Sequence, residues 1–297
     1  MTRIVTIASY PKSGNTWTRL VIEALRAPDP TALDINAVSA GERWMSDRGL
    51  FERTHAIDPD WLTEDEILRL RPAVIRALAA GADPEVIYLK GHDANLAVMD
   101  DHLYPRGLPL SCVYPVRHPF DVAVSFAHHG AMGIDQAIDF MTDPAAMMGD
   151  YRPARHARGG RNHAQLPQYC RDWSTNVASF LDAPPGPLLV LRYEDMLADP
   201  WAAATRIAGF LHLNDTPAHV RDAVSATRFD RLAAQEARDG FRELPIGIDR
   251  FFRGGRAGDG DRVLSDPQKH RLIRAHGTIM ERLGYGHDRV SWKECDA

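Results

Sequence analysis

Val5-Thr6-Ile7-Ala8-Ser9-Tyr10-Pro11-Lys12-Ser13-Gly14-Asn15-Thr16-Trp17 runs from a β-branched apolar segment through a turn and directly into a helical pattern. Thr2 to Ala8 predicts a buried strand, and Trp17, Leu20, Val21, Ala24 and Leu25 recur at the i, i+3, i+4 spacing of a helix. A helix start leaves its first backbone N–H groups without intrahelical partners, aimed at whatever anion sits there. Here those groups run from Ser13 to Trp17, with the hydroxyls of Ser13 and Thr16 and the ammonium of Lys12 as further donors.

The same strand-then-polar-cluster pattern returns along the chain. Val86-Ile87-Tyr88-Leu89-Lys90, Leu110-Ser111-Cys112-Val113-Tyr114-Pro115-Val116 and Leu188-Leu189-Val190-Leu191 are apolar enough to be strands buried on both faces. Between them lie helical segments. Thr63-x-x-Glu66 reads as a capping box, with Pro72 dividing the helix that follows and Gly81 ending it; Asp199-Pro200 and Asp266-Pro267 each open another helix. Strands alternating with helices predict an α/β fold, a central, mainly parallel sheet flanked by helices, with residues 1–297 as one domain. In such sheets ligands bind beyond the carboxyl ends of the strands, so Lys12, Lys90, Arg117 and Tyr193 should converge. Gly149 to His163 and Arg253 to Asp261 read as loops, the first carrying Arg152, Arg155, Arg158 and Arg161.

Bulk properties narrow the function. Against 40 acidic residues stand 35 Lys and Arg, a formal net charge of −5, so no global basic field recruits nucleic acid or an anionic membrane. An anion site must therefore be local. Cys112, Cys170 and Cys295 are too scattered for a zinc site or a disulfide scaffold, no apolar run approaches a membrane span, and no leader is evident. The expectation is a soluble cytoplasmic protein, with oligomeric state open.

Lys12 precedes its glycine, whereas the triphosphate loop GxxxxGK[ST] places the lysine after a longer glycine-bounded turn that wraps a phosphate chain. This shorter turn suits one phosphate-like group. Arg117-His118-Pro119-Phe120-Asp121-Val122-Ala123-Val124-Ser125 sets an arginine fork at a strand end and a serine two turns into the next helix, a pair able to hold a second phosphate, with Asp121 as a salt bridge and helix cap. Lys90-Gly91-His92 puts a cation beside an imidazole whose ordinary pKa lets its neutral form take a proton from a hydroxyl.

These segments together resemble the sulfotransferases that use 3'-phosphoadenosine 5'-phosphosulfate (PAPS). Tyr10 to Trp17 is similar to their 5'-phosphosulfate loop, and Arg117 to Ser125 matches every fixed position of Arg-x-Pro-x-Asp-x-x-x-Ser, their 3'-phosphate motif. Lys90-Gly91-His92 resembles their Lys-x-His, Tyr193-Glu194-Asp195 their Tyr-Glu-Asp, and Thr227-Arg228-Phe229 their Thr-x-Phe, whose ring stacks on the base. Asp172 to Val177 resembles the helix behind the cofactor, with Asn176 where histidine is common. Arg253-Gly254-Gly255-Arg256-Ala257-Gly258-Asp259 resembles their final loop, Arg-Lys-Gly-x-x-Gly-Asp-Trp, but Gly254 replaces the lysine and Gly260 the tryptophan.

The resemblance implies a sulfuryl group passed from PAPS to an acceptor hydroxyl, without a metal. It implies His92 as general base, Lys12 stabilising the leaving group, Lys90 holding sulfuryl oxygens, and Ser125 meeting both the 3'-phosphate and Lys12. Cofactor contacts would come from Lys12, Ser13, Gly14, Asn15, Thr16, Trp17, Arg117, Ser125, Tyr193, Thr227, Phe229, Arg253, Gly254 and Gly255, with Arg256 available to replace the missing lysine. The acceptor would be a small molecule, with Trp44, Phe51, Phe126, Met132, Phe140, Met147, Met148 and Phe241 as apolar candidates for its pocket. The alternatives are a nucleoside or small-molecule kinase, which would need a triphosphate loop and Mg²⁺-binding carboxylates, and a nucleotide-binding module that has lost catalysis.

Overall fold

The structure is a computed structural model that describes residues 1–81, 85–149, 165–244 and 247–286. The arginine-rich stretch after Gly149, and Cys295, lie outside the described residues.

β1 (Arg3–Ala8) leads into α1 (Asn15–Arg26), followed by β2 (Arg43–Trp44), α2 (Arg48–His55) and α3 (Glu64–Ala80). β3 (Val86–Gly91) precedes a two-residue antiparallel pair, β4 (Ala97–Val98) and β5 (Asp101–His102). Then come β6 (Leu110–Val116), α4 (Pro119–His129), α5 (Ile134–Thr142), α6 (Trp173–Asp182) and β7 (Leu188–Arg192). The chain continues through α7 (Tyr193–Ala198), α8 (Pro200–Leu211), α9 (Pro217–Ala226), α10 (Phe229–Asp239), α11 (Asp259–Val263) and α12 (Asp266–Arg282).

The five-stranded sheet has the order β2-β3-β1-β6-β7, and every pairing in it is parallel. Alternation along the strands sends one set of side chains to each face. Ile4, Ile87, Leu89, Cys112 and Tyr114 join the cluster under α3, α4, α6 and α12, while Val5, Ile7, Tyr88 and Val113 join that under α1, α8 and α9. The result is three layers, α/β/α. Because β3 and β6 flank β1 on opposite sides, the order reverses at β1, and the turn after β1 opens at the switch point where α/β sheets bind ligands.

Three predicted details are corrected. α3 is continuous through Pro72, because Ile67, Ile75 and Ala79 pack on both sides of the proline and the neighbouring Arg71 is fixed by a buried ion pair with Asp93 (2.7 Å). β7, at the sheet edge, keeps Leu188, Leu189 and Val190 only half buried. The last helix takes its cap from Ser265, with Gln268 completing a capping box, so Asp266 is its first residue. Thr63 and Glu66 form the predicted box, and the Asp199 carboxylate caps α8 through the Ala202 N–H.

Candidate active site

The register of β1 on β3 builds the first half of the site. Ile7 lies opposite Lys90 and Ala8 opposite Gly91, so the chains leave the sheet side by side and Ser9 N donates to Gly91 O (3.2 Å). His92 therefore arrives next to Ser9, with Nδ1 2.9 Å from the Ser9 carbonyl oxygen. That bond requires a proton on Nδ1 and leaves the lone pair on Nε2. Burial, then Lys90, with Lys12 and Arg19 behind it, drives the His92 pKa down to about 3, the Ser9 bond acting the other way. Two buried groups brace this strand end. Asn176 donates to His92 O (3.0 Å) while its Oδ1 accepts from Tyr114 Oη (2.6 Å), which is the structural role read for it. Asp93 takes a bidentate contact from Arg71 and the Tyr169 N–H.

In the turn after β1, Gly14 sits at φ 99°, and a Cβ there would lie 2.8 Å from the Tyr193 ring. Only glycine satisfies both the backbone and the aromatic wall. The first helical N–H with a partner is that of Thr18, on Gly14 O (3.0 Å), so the N–H groups of Gly14, Asn15, Thr16 and Trp17 stay free for a ligand. Ser13 N, expected among them, donates to Tyr10 O (3.3 Å); its hydroxyl is buried without a partner. The Asn15 side-chain NH₂ is spent internally, donating to Ile7 O and Ser9 Oγ, while its Oδ1 is buried without a partner, so toward an anion the residue offers its backbone N–H. Thr16 stays half buried on the first helical turn.

Lys12 has φ 66°, uncommon for a side-chain-bearing residue, and its ammonium donates to His129 Nδ1 (3.0 Å) while lying 4.6 Å from the Phe251 ring centre. Burial, then the fields of Lys90 and Arg117, lower its pKa to about 7. Lys90 is 3.8 Å from the Trp44 ring centre and 3.1 Å from Glu243 Oε2; burial lowers it to about 8 against the pull of Glu243. Glu243 is held by Arg19 (2.8 and 2.5 Å), and although burial acts to raise its pKa, Lys90 and Arg19 bring it below the ordinary carboxylate value. Neither Glu243 nor His129 was singled out from the sequence. Glu243 stands in an irregular segment far from Arg19 in the chain, whereas His129 carried one signal, its i+4 spacing from Ser125 on α4.

The other half of the site gathers at the ends of β6 and β7. The Arg117 guanidinium lies 4.4 Å from the Tyr193 ring centre, donates to Arg256 O (3.1 Å) and keeps Nε buried without a partner. Tyr193 meets Trp17 edge to face (5.6 Å), and Trp17 Nε1 donates to Thr227 O (3.1 Å). The Thr227 hydroxyl turns back to Ala223 O, so Thr227 anchors Trp17 through its backbone. Phe229 is 36% exposed and packs on Gly255, where a Cβ would come within 2.3 Å of its ring. Ser125 is half buried on the α4 face that also carries Asp121 and His129.

Asp121 clamps the final loop, accepting from Gly258 N (2.8 Å) and Gly260 N (2.7 Å), and lies 3.8 Å from the Arg117 guanidinium. A Cβ on Gly260 would lie 2.4 Å from Phe120 Cβ, so the residue expected as a missing tryptophan anchor instead lets backbone press on α4. The segment read wholly as loop turns into α11 at Asp259. Around Asp259 cluster Arg253 (3.9 Å), Arg256 (2.9 Å) and Arg262. Arg256, the candidate substitute for the missing lysine, spends its side chain there; Gly254 is exposed. Of the apolar candidates, Trp44 and Phe241 adjoin the site, Phe51 belongs to a core cluster with Ile67 and Leu166, and Phe126, Phe140, Met132 and Met148 form a satellite cluster.

The chain matches the sulfotransferase domain model over residues 3–272. It belongs to the sulfotransferase family. No curated protein sequence matches it significantly. Among solved structures it is similar to mouse sulfotransferase SULT7A1 complexed with PAP (17% identity, TM-score 0.59, covering 94% of this chain and 85% of that one). It is also similar to retinol dehydratase in complex with androsterone and inactive cofactor PAP (20% identity, TM-score 0.58, covering 94% and 82%). At these identities the likeness concerns the fold of this sulfotransferase. Among its described residues no helix is long and apolar enough to cross a membrane, and no group of three or more His, Cys, Asp or Glu side chains is placed to hold a metal ion.

Proposed function

We propose that this sulfotransferase moves the sulfuryl group of PAPS to the hydroxyl of a small-molecule acceptor, with His92 as general base. The observation that carries the reading is the meeting of Lys12, Lys90 and a His92 tied through Nδ1 beside a helix start with free N–H groups. PAPS would supply the sulfuryl group and a good leaving group, carrying roughly four negative charges. The residues fit it. Free N–H groups at Gly14 to Trp17 and the partnerless Ser13 hydroxyl suit the 5' end, Arg117 and Ser125 the 3'-phosphate, and Tyr193, Trp17 and the exposed Phe229 ring the adenosine.

His92 Nε2 accepts the acceptor's hydroxyl proton. Its low pKa comes partly from Lys90 and Lys12, so an anion between those ammoniums removes the repulsion and lifts the imidazole toward a useful basicity. Lys12 donates toward the departing oxygen, and Lys90, fixed by Trp44 and Glu243, holds oxygens of the transferring group. Retinol dehydratase, similar in fold, was solved with androsterone or with retinol beside PAP, which supports a small-molecule acceptor. Thermal unfolding tests the cofactor reading. Adenosine 3',5'-bisphosphate should stabilise the protein far more than AMP, which lacks the group assigned to Arg117 and Ser125; equal shifts would overturn it.

A further inference from the structure

On α4, Asp121, Ser125 and His129 follow one another at i+4 and share a face, the first clamping the final loop and the last reaching Lys12. The polarity of the Lys12–His129 contact follows the charge on Lys12, whose pKa is lowered to about 7. Below that pH the ammonium can only donate, so His129 Nδ1 accepts and the ring carries its proton on Nε2. Phe251 closes the other side, 4.6 Å from the ammonium and 6.1 Å, edge to face, from the His129 ring. That wall is itself anchored: Phe251 meets Phe241 (4.8 Å) and Phe252 (5.3 Å) edge to face, and Glu236 accepts the N–H groups of Phe251 and Phe252 (2.6 and 2.9 Å). Lys12 is thus a four-carbon chain held at both ends, by a left-handed backbone and by an imidazole, among the fields of Lys90, Arg117, Glu243 and Arg253.

We propose that His129 is a positioning residue for Lys12, accepting one of its N–H bonds so that the remaining two point into the site. The proposal rests on the sulfuryl-transfer reading for the consequence but not for the contact. Ordering a lysine before the reaction removes a reorganisation cost from the step in which charge develops, whereas an unheld ammonium among other cations would turn to solvent. Burial, then the fields of Lys12, Lys90 and His128, lower the His129 pKa to about 4 against the pull of Glu243, which keeps it neutral as the contact demands.

His129→Ala should lower kcat about tenfold while the Kd of adenosine 3',5'-bisphosphate stays within about twofold. His129→Asn, whose Oδ1 lies near the lost acceptor, should recover most of that activity, and His129→Ala should cost nothing further in a Lys12→Ala background. Long-range ¹H–¹⁵N spectra of the ligand-free protein at about pH 6, where Lys12 is charged and His129 neutral, should show His129 as the Nε2–H tautomer with an Nδ1 resonance that moves in Lys12→Ala. An Nδ1–H tautomer, a resonance indifferent to Lys12, or an equal kcat loss with and without Lys12 would overturn the proposal. If the wild type transfers nothing from PAPS, the reaction reading fails, and the spectra still decide the contact.

Discussion

At the ends of β1 and β3, Lys12 and Lys90 are enclosed, each with one close polar partner, and their pKa values fall to about 7 and about 8. Beyond β6, Arg253, Arg256 and Arg262 surround a single carboxylate, Asp259, and remain largely exposed, Arg256 at 63%. Both regions collect cations, on different physical terms. Removing charge from water raises its cost and its reach, so the enclosed pair exerts a strong field on whatever enters and on His92. The exposed arginines are screened and already paired, so each contributes little alone. On the proposed reading, chemistry belongs with the first region, and grip on the far end of the ligand with Arg117 and the loop.

The sharpest test of that division is His92→Ala. Turnover should fall by at least about a hundredfold, the range of a general base, with bisphosphate affinity nearly unchanged. Retention of more than about a tenth of wild-type turnover would move the base elsewhere. Next in size, Arg117→Ala should weaken adenosine 3',5'-bisphosphate about tenfold or more while leaving AMP almost unaffected, because a charge-assisted bond to the 3'-phosphate is lost. A loss shared equally by AMP would place Arg117 outside that subsite.

Protonation distinguishes the regions independently. Lys12 and Lys90 titrate near pH 7 to 8, well below the ordinary lysine value, and an anion stabilises their charged forms. At pH 8 the ligand's phosphates, with second pKa values of about 6, are already ionised, so binding should take up protons. Calorimetry in buffers of different ionisation enthalpy should report net uptake; zero uptake or release at pH 8 would contradict the enclosed-cation picture.

The smallest effects belong to the exposed loop. Gly254 has room for a side chain, a Cβ meeting nothing nearer than 3.7 Å, so Gly254→Lys should tighten the bisphosphate selectively over its analogue without the 3'-phosphate, by about three- to tenfold. Because Arg256 is held by Asp259, Arg256→Ala should change that selectivity less than about twofold. A larger loss in Arg256→Ala would mean that it leaves Asp259 for the ligand.

What could be read in the sequence was whatever is local or fixed by topology. The β1 turn is contiguous, and parallel strands put Lys90, Arg117 and Tyr193 at one edge whatever the helices do. Partners supplied across the fold were not legible. Glu243 reaches Arg19 and Lys90 from a segment without periodicity, and Glu194 accepts from His118 N and Tyr285 Oη, pinning the β7 end to α4. Composition could not separate pocket from core, since Phe51 and Trp44 are equally apolar in sequence and only packing sends one inward. Glycines misled in the opposite sense, Gly260 reading as a lost anchor where it permits a backbone contact.

The most direct measurement is to supply the wild-type protein with PAPS labelled in its sulfuryl group, and in parallel with ATP and Mg²⁺, over a panel of phenols, alcohols, amines and sugars. The account predicts labelled sulfate on an acceptor hydroxyl, matched by adenosine 3',5'-bisphosphate, at a rate indifferent to EDTA, and no phosphorylated product from ATP. Phosphoryl transfer from ATP, or bisphosphate binding with no sulfate transferred to any acceptor, would contradict it.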